Sequence, residues 1–223
     1  MPRYHDDLSN FENRPITHQP VHVILRLHGS ISPAEALRLR ADYEAAQDAF
    51  THKTRVNGQL RFATRADLEY YFQTQYDQIL DRQHNGPMFL ADSRAKEIIL
   101  NSLLHRERQG LIDLYAASVM SNHLHLLLRN ADPMGSIPFE EFFTPFKRYT
   151  GKRINGVQDQ PDRRVWANRG FDRDVRPGKF WTVLQYILYN PVQAGLVNAG
   201  GRLHWCGNYV RPDLAPDRAP AGC

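Results

Sequence analysis

Two histidines separated by one residue, His123 and His125, are the first groups in this chain whose types and spacing suggest chemistry. They lie in Val119-Met120-Ser121-Asn122-His123-Leu124-His125-Leu126-Leu127-Leu128. In an extended strand, residues two apart share a face, so both imidazoles project side by side while Leu124, Leu126 and Leu128 point to the opposite side. Neutral imidazole is a common ligand for divalent transition ions, and a catalytic centre needs only about three protein ligands with positions left open. The pair is therefore half of a metal site or, on its own, a polar stripe on a half-exposed strand. The second chemical signal is charge. Between Phe146 and Lys179 ten Lys/Arg stand against four Asp, a local excess of +6, and the remainder of the chain carries −2. Clustered cations of this kind suit a polyanion, because phosphate contacts release condensed counterions. A solvated, salt-bridged face is the alternative.

These groups need a scaffold. A chain of 223 residues with 42% hydrophobic content is long enough for one good core. Residues 1–20 are polar, end in Pro20 and read as a flexible N-terminal arm. Residues 211–223, rich in Pro and Ala, read as a disordered tail, which leaves one folded domain over 21–210. Val21 to Leu27 is β-branched and partly alternating, with Val21, Val23, Leu25 and Leu27 on one face and His22, Ile24 and Arg26 on the other, the pattern of a half-buried strand. Ser32-Pro33 opens a helix to about Phe50, Thr64 caps a second through Tyr76, and Asp92 caps a third through Leu103, with Gly58 and Asn85-Gly86-Pro87 as punctuation. Leu111–Met120 and His123–Leu128 form an antiparallel hairpin across Ser121-Asn122. A helix over Pro138 to about Ile154, an extended piece within Val165–Val175 and a helix from Phe180 to Tyr189, checked by Pro191, complete the order. The fold class expected is α+β, a small antiparallel sheet covered by helices. No apolar run reaches the length of a membrane span, the opening residues lack the apolar stretch of a signal peptide, and Cys206 and Cys223 are too few for a disulfide framework or a four-cysteine zinc site. A soluble, cytoplasmic protein is expected.

The sequence around His123 and His125 resembles the strand-turn-strand motif of the REP-associated tyrosine transposases, which belong to the HUH superfamily of single-tyrosine transposases (IS200-like). The family usually has Pro where Ser121 stands. A second segment, Tyr186-Ile187-Leu188-Tyr189-Asn190-Pro191-Val192-Gln193-Ala194-Gly195-Leu196-Val197, is similar to the same family's Y-I-x-x-N-P-V-x-A-G-L-V segment. Smaller matches occur at Phe146–Asn155 and Val165–Arg173. The resemblance spans about residues 20–200 and is weakest over 28–90, which reads as a variable insertion.

The resemblance implies a ferredoxin-like palm with extra helices, and a DNA transposase that cleaves and rejoins single-stranded DNA at hairpin sequences. It implies Tyr186 as the nucleophile forming a 5′-phosphotyrosine, with His123, His125 and Asn190 holding Mg²⁺ or Mn²⁺. Positions 186 and 190 share one helical face, which suits that pairing. Tyr149 is the rival nucleophile, amid Lys147, Arg148, Lys152 and Arg153, but Arg153 stands where a ligand would be needed one turn later. Arg148, Lys152, Arg153, Arg169, Arg173 and Arg176 are candidates for phosphate contacts, and Trp166, Phe171 and Trp181 for base stacking. His22 and Arg26 share a strand face that either lines the site or is structural. His204-Trp205-Cys206 reads as structural. The expected partner is single-stranded or hairpin DNA with no membrane, the protein acting as a monomer or homodimer near the nucleoid. Two other functions fit the same residues: a repressor-like DNA-binding protein that does not cut, and a metal-dependent nuclease using water.

Overall fold

The computed structural model of the chain describes residues 13–82 and 86–215. Residues 1–12 of the expected arm, Asn85 of the expected turn and residues 216–223 of the expected tail lie outside the described residues. The elements, in chain order, are β1 (Val21–Arg26), α1 (Pro33–Thr51), β2 (Arg55–Val56), β3 (Gln59–Leu60), α2 (Arg65–Arg82), α3 (Ser93–Arg108), β4 (Ile112–Val119), β5 (His123–Asn130), α4 (Phe139–Val157), β6 (Phe171–Asp174), α5 (Phe180–Gln193) and β7 (Asn208–Val210). This is the α+β architecture expected. One five-stranded sheet has the order β6-β1-β5-β4-β7, and every neighbouring pair in it is antiparallel.

Local chemistry explains most of the boundaries. Ser32 and Glu35 form a reciprocal capping box at α1, with Pro33 in the first turn. Thr64 accepts from the Asp67 amide at the start of α2, and Asp92 accepts from the Arg94 amide at the start of α3. The β2-β3 ribbon was not expected, although its signal is plain in retrospect. Asn57 and Gly58 both take positive φ, 51° and 79°, as a two-residue hairpin turn demands.

Helices cover both faces of the sheet. On one face, Val23, Leu25, Leu124, Leu126 and Leu128 pack against Ile99 and Leu103 of α3 and Phe143 and Phe146 of α4. On the other, Ile24 and Phe171 pack against α1 and α2, while Tyr115, Ala116 and Leu127 pack against Leu184, Ile187 and Leu188 of α5. The expectation of a half-buried first strand is thereby corrected. All six residues of β1 are buried, because the second face is roofed by α2 and α5 and not by water. That enclosure makes the polar groups on it consequential.

A bulge in β4 controls what β4 presents to each face. The register passes from Leu114 opposite Leu128 to Ala116 opposite Leu127, leaving Tyr115 as the extra residue. Even-numbered Ile112 and Leu114 therefore join the α3/α4 core, but after the bulge odd-numbered Ala117 and Val119 do so. Ser118 then sits opposite His125 on the α2/α5 side.

Helix α5 runs through Pro191 to Gln193, where an earlier stop was expected. Proline removes one backbone donor, but the end is re-satisfied by a Schellman cap. Gly195, at φ 70°, donates to Val192 O and Leu196 donates to Pro191 O. The Ala-Gly-Leu after Pro191 is thus a stop signal set one turn later. At the other end of the described chain, Ile16 is buried and bridges Ile137, so the folded body begins before Val21.

Close approach explains one glycine. A Cβ on Gly170 would lie 2.7 Å from Leu25 Cδ2, 2.9 Å from the Ile24 carbonyl oxygen and 3.2 Å from Phe139 Cζ. Gly170→Ala is expected to cost about 1–3 kcal/mol through overpacking, read as a lower urea midpoint at unchanged slope.

Candidate functional site

The enclosed face between α2 and α5 carries an unusual density of buried polar groups. Pairing of β1 with β5 sets Ile24 opposite His125 and Arg26 opposite His123, so His22, His123 and His125 come together on one surface. His123 Nε2 lies 2.9 Å from His125 Nε2, and His125 Nδ1 lies 3.1 Å from His22 Nε2. His123 Nδ1 lies 2.6 Å from Asn122 Oδ1, and Asn122 Nδ2 donates to the Leu80 carbonyl at 2.8 Å. All three rings are buried. Burial holds His22 and His123 neutral, down to about 3 for each, and His125 well below the ordinary imidazole range, because a charged ring would have no water.

Helix α2 supplies the second wall. Gln73, Asp77 and Asp81 recur every four residues and so share a face. Gln73 Nε2 donates to His22 Nδ1 at 2.9 Å. Asp81 Oδ1 lies 4.0 Å from His123 Nε2. Burial raises the Asp77 carboxyl to about 7 and the Asp81 carboxyl to about 6, and the two carboxylates also repel one another. Neither Asp77 nor Asp81 was singled out from the sequence. They fall in the stretch that reads as an insertion, yet acidic residues in step with the buried Phe72, Tyr76 and Leu80 are the signal that could have revealed them.

Helix α5 supplies the third. The Tyr186 hydroxyl donates to Asp77 Oδ2 at 2.5 Å, a bond between residues 109 apart in sequence. Its ring stands edge-on to both His22 and His125, with centroids 6.0 Å away in each case. Burial and then the neighbouring Asp77 carboxylate raise the Tyr186 phenol well above its ordinary value. Asn190, one turn on, is fully buried and neither amide atom has a hydrogen-bond partner among the described residues. The amide is close enough to the phenol to oppose that upward shift slightly, without meeting hydrogen-bond geometry.

A cavity of about 250 Å³ opens beside Tyr186 and is lined by Gln73, Tyr70 and three cations, Arg173, Arg176 and Lys179. Arg176 pairs with Asp67 at 3.3 Å, and Arg173 stands over the Tyr70 ring at 5.3 Å. The other basic candidates are elsewhere. Arg148, Lys152 and Arg153 line a cleft of about 1180 Å³ between α3 and α4, on the far side of the sheet. Arg169 lines a neighbouring groove along α4. Tyr149 is in the α3/α4 cleft and 53% exposed, away from the histidines. Of the stacking candidates, Trp166 and Phe171 are core residues, each 6% exposed, because their rings complete the two helix-facing cores, and only Trp181 is open, at 57%. Lys179 was missed.

The fit of a divalent ion can be tested on these atoms. The 2.9 Å between the two Nε2 atoms matches the spacing of adjacent ligands about 2.1 Å from one octahedral ion. Around them, Asp81 Oδ1, Asp77 Oδ1 and both Asn190 amide atoms are buried without hydrogen-bond partners. Among the described residues no three His, Cys, Asp or Glu groups converge closely enough to hold a metal by themselves, so a third ligand has to come from an amide or by inward movement of a carboxylate. The set fits an ion with open positions.

No family model matches this chain, and no curated protein matches it. A solved structure of a REP-associated tyrosine transposase bound to a REP hairpin is similar to it at 14% identity, with a TM-score of 0.41, covering 85% of this chain and 76% of that one. Among the described residues, no helix is long and apolar enough to cross a membrane.

Proposed function

We propose that the protein is a divalent-metal-dependent enzyme that cuts and rejoins single-stranded DNA at hairpin-bearing sequences through a 5′-phosphotyrosine on Tyr186. The observation that carries this reading is the Tyr186 hydroxyl, bonded at 2.5 Å to a buried carboxylate and flanked by His125, beside a small cavity lined by three cations. The resemblance of the two sequence motifs supports it independently.

A phosphodiester resists attack because its non-bridging oxygens are charged and its leaving alkoxide is poor. Arg173, Arg176 and Lys179 supply positive charge at the mouth of the cavity, where a phosphate would meet it in partly desolvated surroundings. Asp77 Oδ2 accepts the phenol proton, and the Tyr186 oxygen attacks phosphorus in line. The bond from phosphorus to the 3′ oxygen then breaks, and that oxygen takes a proton from water. His123 and His125, with Asn190, would hold Mg²⁺ or Mn²⁺, which supplies Lewis-acid stabilisation of the phosphate and the departing oxygen. The covalent product conserves the bond energy, so a second 3′-OH can reverse the step and rejoin strands without a nucleotide cofactor.

The test is incubation with hairpin-bearing single-stranded DNA, with and without Mn²⁺, followed by denaturing gels of wild type and Tyr186→Phe. The expected result is a metal-dependent protein-DNA adduct that Tyr186→Phe abolishes. Cleavage without an adduct, surviving in Tyr186→Phe, would replace this reading with a water-using nuclease. Binding without cleavage would replace it with a repressor-like protein.

A further inference from the structure

Two carboxylates one helical turn apart on α2 face the same site, and the structure gives them different occupations. Asp77 Oδ2 is engaged, accepting from the Tyr186 hydroxyl at 2.5 Å and from Gln73 Nε2 at 3.4 Å. Asp81 Oδ1 is buried without a hydrogen-bond partner, 4.0 Å from His123 Nε2. A carboxylate oxygen so placed costs stability unless something positive meets it. Residue 81 falls in the stretch 28–90, where the family resemblance is weakest, so the resemblance assigns it nothing.

Resting on the metal site proposed above, we infer that Asp81 is a further ligand to the ion, through Oδ1. Ligands about 2.1 Å from an octahedral ion stand about 3.0 Å apart when adjacent and about 4.2 Å apart when opposite. The 2.9 Å between His123 Nε2 and His125 Nε2 is the adjacent spacing, and the 4.0 Å between His123 Nε2 and Asp81 Oδ1 falls just short of the opposite one. His123, His125 and Asp81 do not close on an ion by themselves, and the partnerless Asn190 amide is the fourth donor. Four protein donors leave an octahedral ion two open positions, enough for one non-bridging phosphate oxygen and the departing 3′ oxygen. The carboxylate also bears on which ion is held. Imidazole suits zinc, copper and nickel, whereas a carboxylate oxygen suits Mg²⁺ and Mn²⁺, so Asp81 turns the preference of the site toward the second pair. Helix α2 thus serves the reaction at two successive turns, with Asp77 as proton acceptor for Tyr186 and Asp81 as an anchor for the ion.

The experiment measures Mn²⁺ binding to the full chain by electron paramagnetic resonance, without DNA, for wild type, His123→Ala, Asp77→Asn and Asp81→Asn. Asparagine keeps the size of the side chain and removes its charge, and Asp81 Oδ1 has no hydrogen bond to lose, so the fold should hold, which thermal melts check. Wild type is expected to bind Mn²⁺ at a site that His123→Ala removes. Asp81→Asn is expected to weaken that site at least about 10-fold, the scale on which even the outer partners of metal ligands act. Asp77→Asn removes a nearby charge without removing a ligand, so it should weaken binding less. A loss in Asp81→Asn no greater than that in Asp77→Asn overturns the inference and leaves the histidine site standing. A wild type with no Mn²⁺ site sensitive to His123→Ala overturns the metal site and the part of Asp81 in it together.

Discussion

Asp77→Asn is expected to slow formation of the protein-DNA adduct about 10²- to 10⁴-fold while making the folded protein more resistant to heat at pH 8. The two effects have one cause. Burial holds the Asp77 carboxyl at about 7, against an ordinary value of 3.8, so the ionised form that accepts the Tyr186 proton is also the form the fold disfavours. A carboxyl whose folded pKa is raised contributes its full stability below the unfolded value and loses it as pH climbs through the folded value. At pH 8 the ionised group therefore costs stability, up to about 4 kcal/mol for a shift of this size. Asparagine keeps an oxygen that can accept from Tyr186 but cannot take the proton. Wild-type adduct rates should rise through about pH 7 and then level, and the variant should lack that rise. Thermal melts at pH 8 and pH 4 with single-turnover gels check both halves. A variant that cleaves at the wild-type rate removes Asp77 from the chemistry.

The second large effect is loss of stability in mild acid. His22 and His123 go from 6.5 unfolded to about 3 folded, and burial holds His125 well below the ordinary imidazole range, so each supports the fold above pH 6.5 and loses that support as pH falls below it. Asp77 and Asp81 oppose this, because their raised values favour the fold on protonation, starting near 7 and 6. Three imidazoles against two carboxylates leave a net uptake of about one proton on unfolding between pH 6 and 4. Unfolding free energy should thus fall by about 1.4 kcal/mol per pH unit there, before other surface groups contribute. Urea unfolding across that range measures it. A stability that is flat or rises toward pH 4 would show that the imidazoles are not held neutral together.

Much of this arrangement was legible in the residues. The alternation around His123 and His125 gave the strand and its polar face, and Ser32, Thr64 and Asp92 gave three helix starts through their caps. Tyr186 and Asn190 were singled out by the resemblance, and their i, i+4 spacing set them on one helical face. What escaped was the set of partners that only tertiary contact defines. His22 is ambiguous in a lone strand, and Asp77 is an ordinary helix residue until α2 folds over the sheet and removes its water. The bulge at Tyr115 left no trace in composition, though it decides which β4 side chains face His125. Basic residues were found by density, and density does not report which side of a sheet they occupy. Arg173 and Arg176 reached Tyr186, whereas Arg148, Lys152 and Arg153 went to the other side.

The site is also stitched from remote parts of the chain. His22 meets His125 across 103 residues, and Asp77 meets Tyr186 across 109. Synthesis proceeds from the N-terminus, and contacts of such separation form late. A nascent chain therefore has its imidazoles and its α2 carboxylates before α5 has emerged. On the proposed chemistry, α5 brings the nucleophile and the amide ligand last, and an unfinished polypeptide has nothing with which to break a strand.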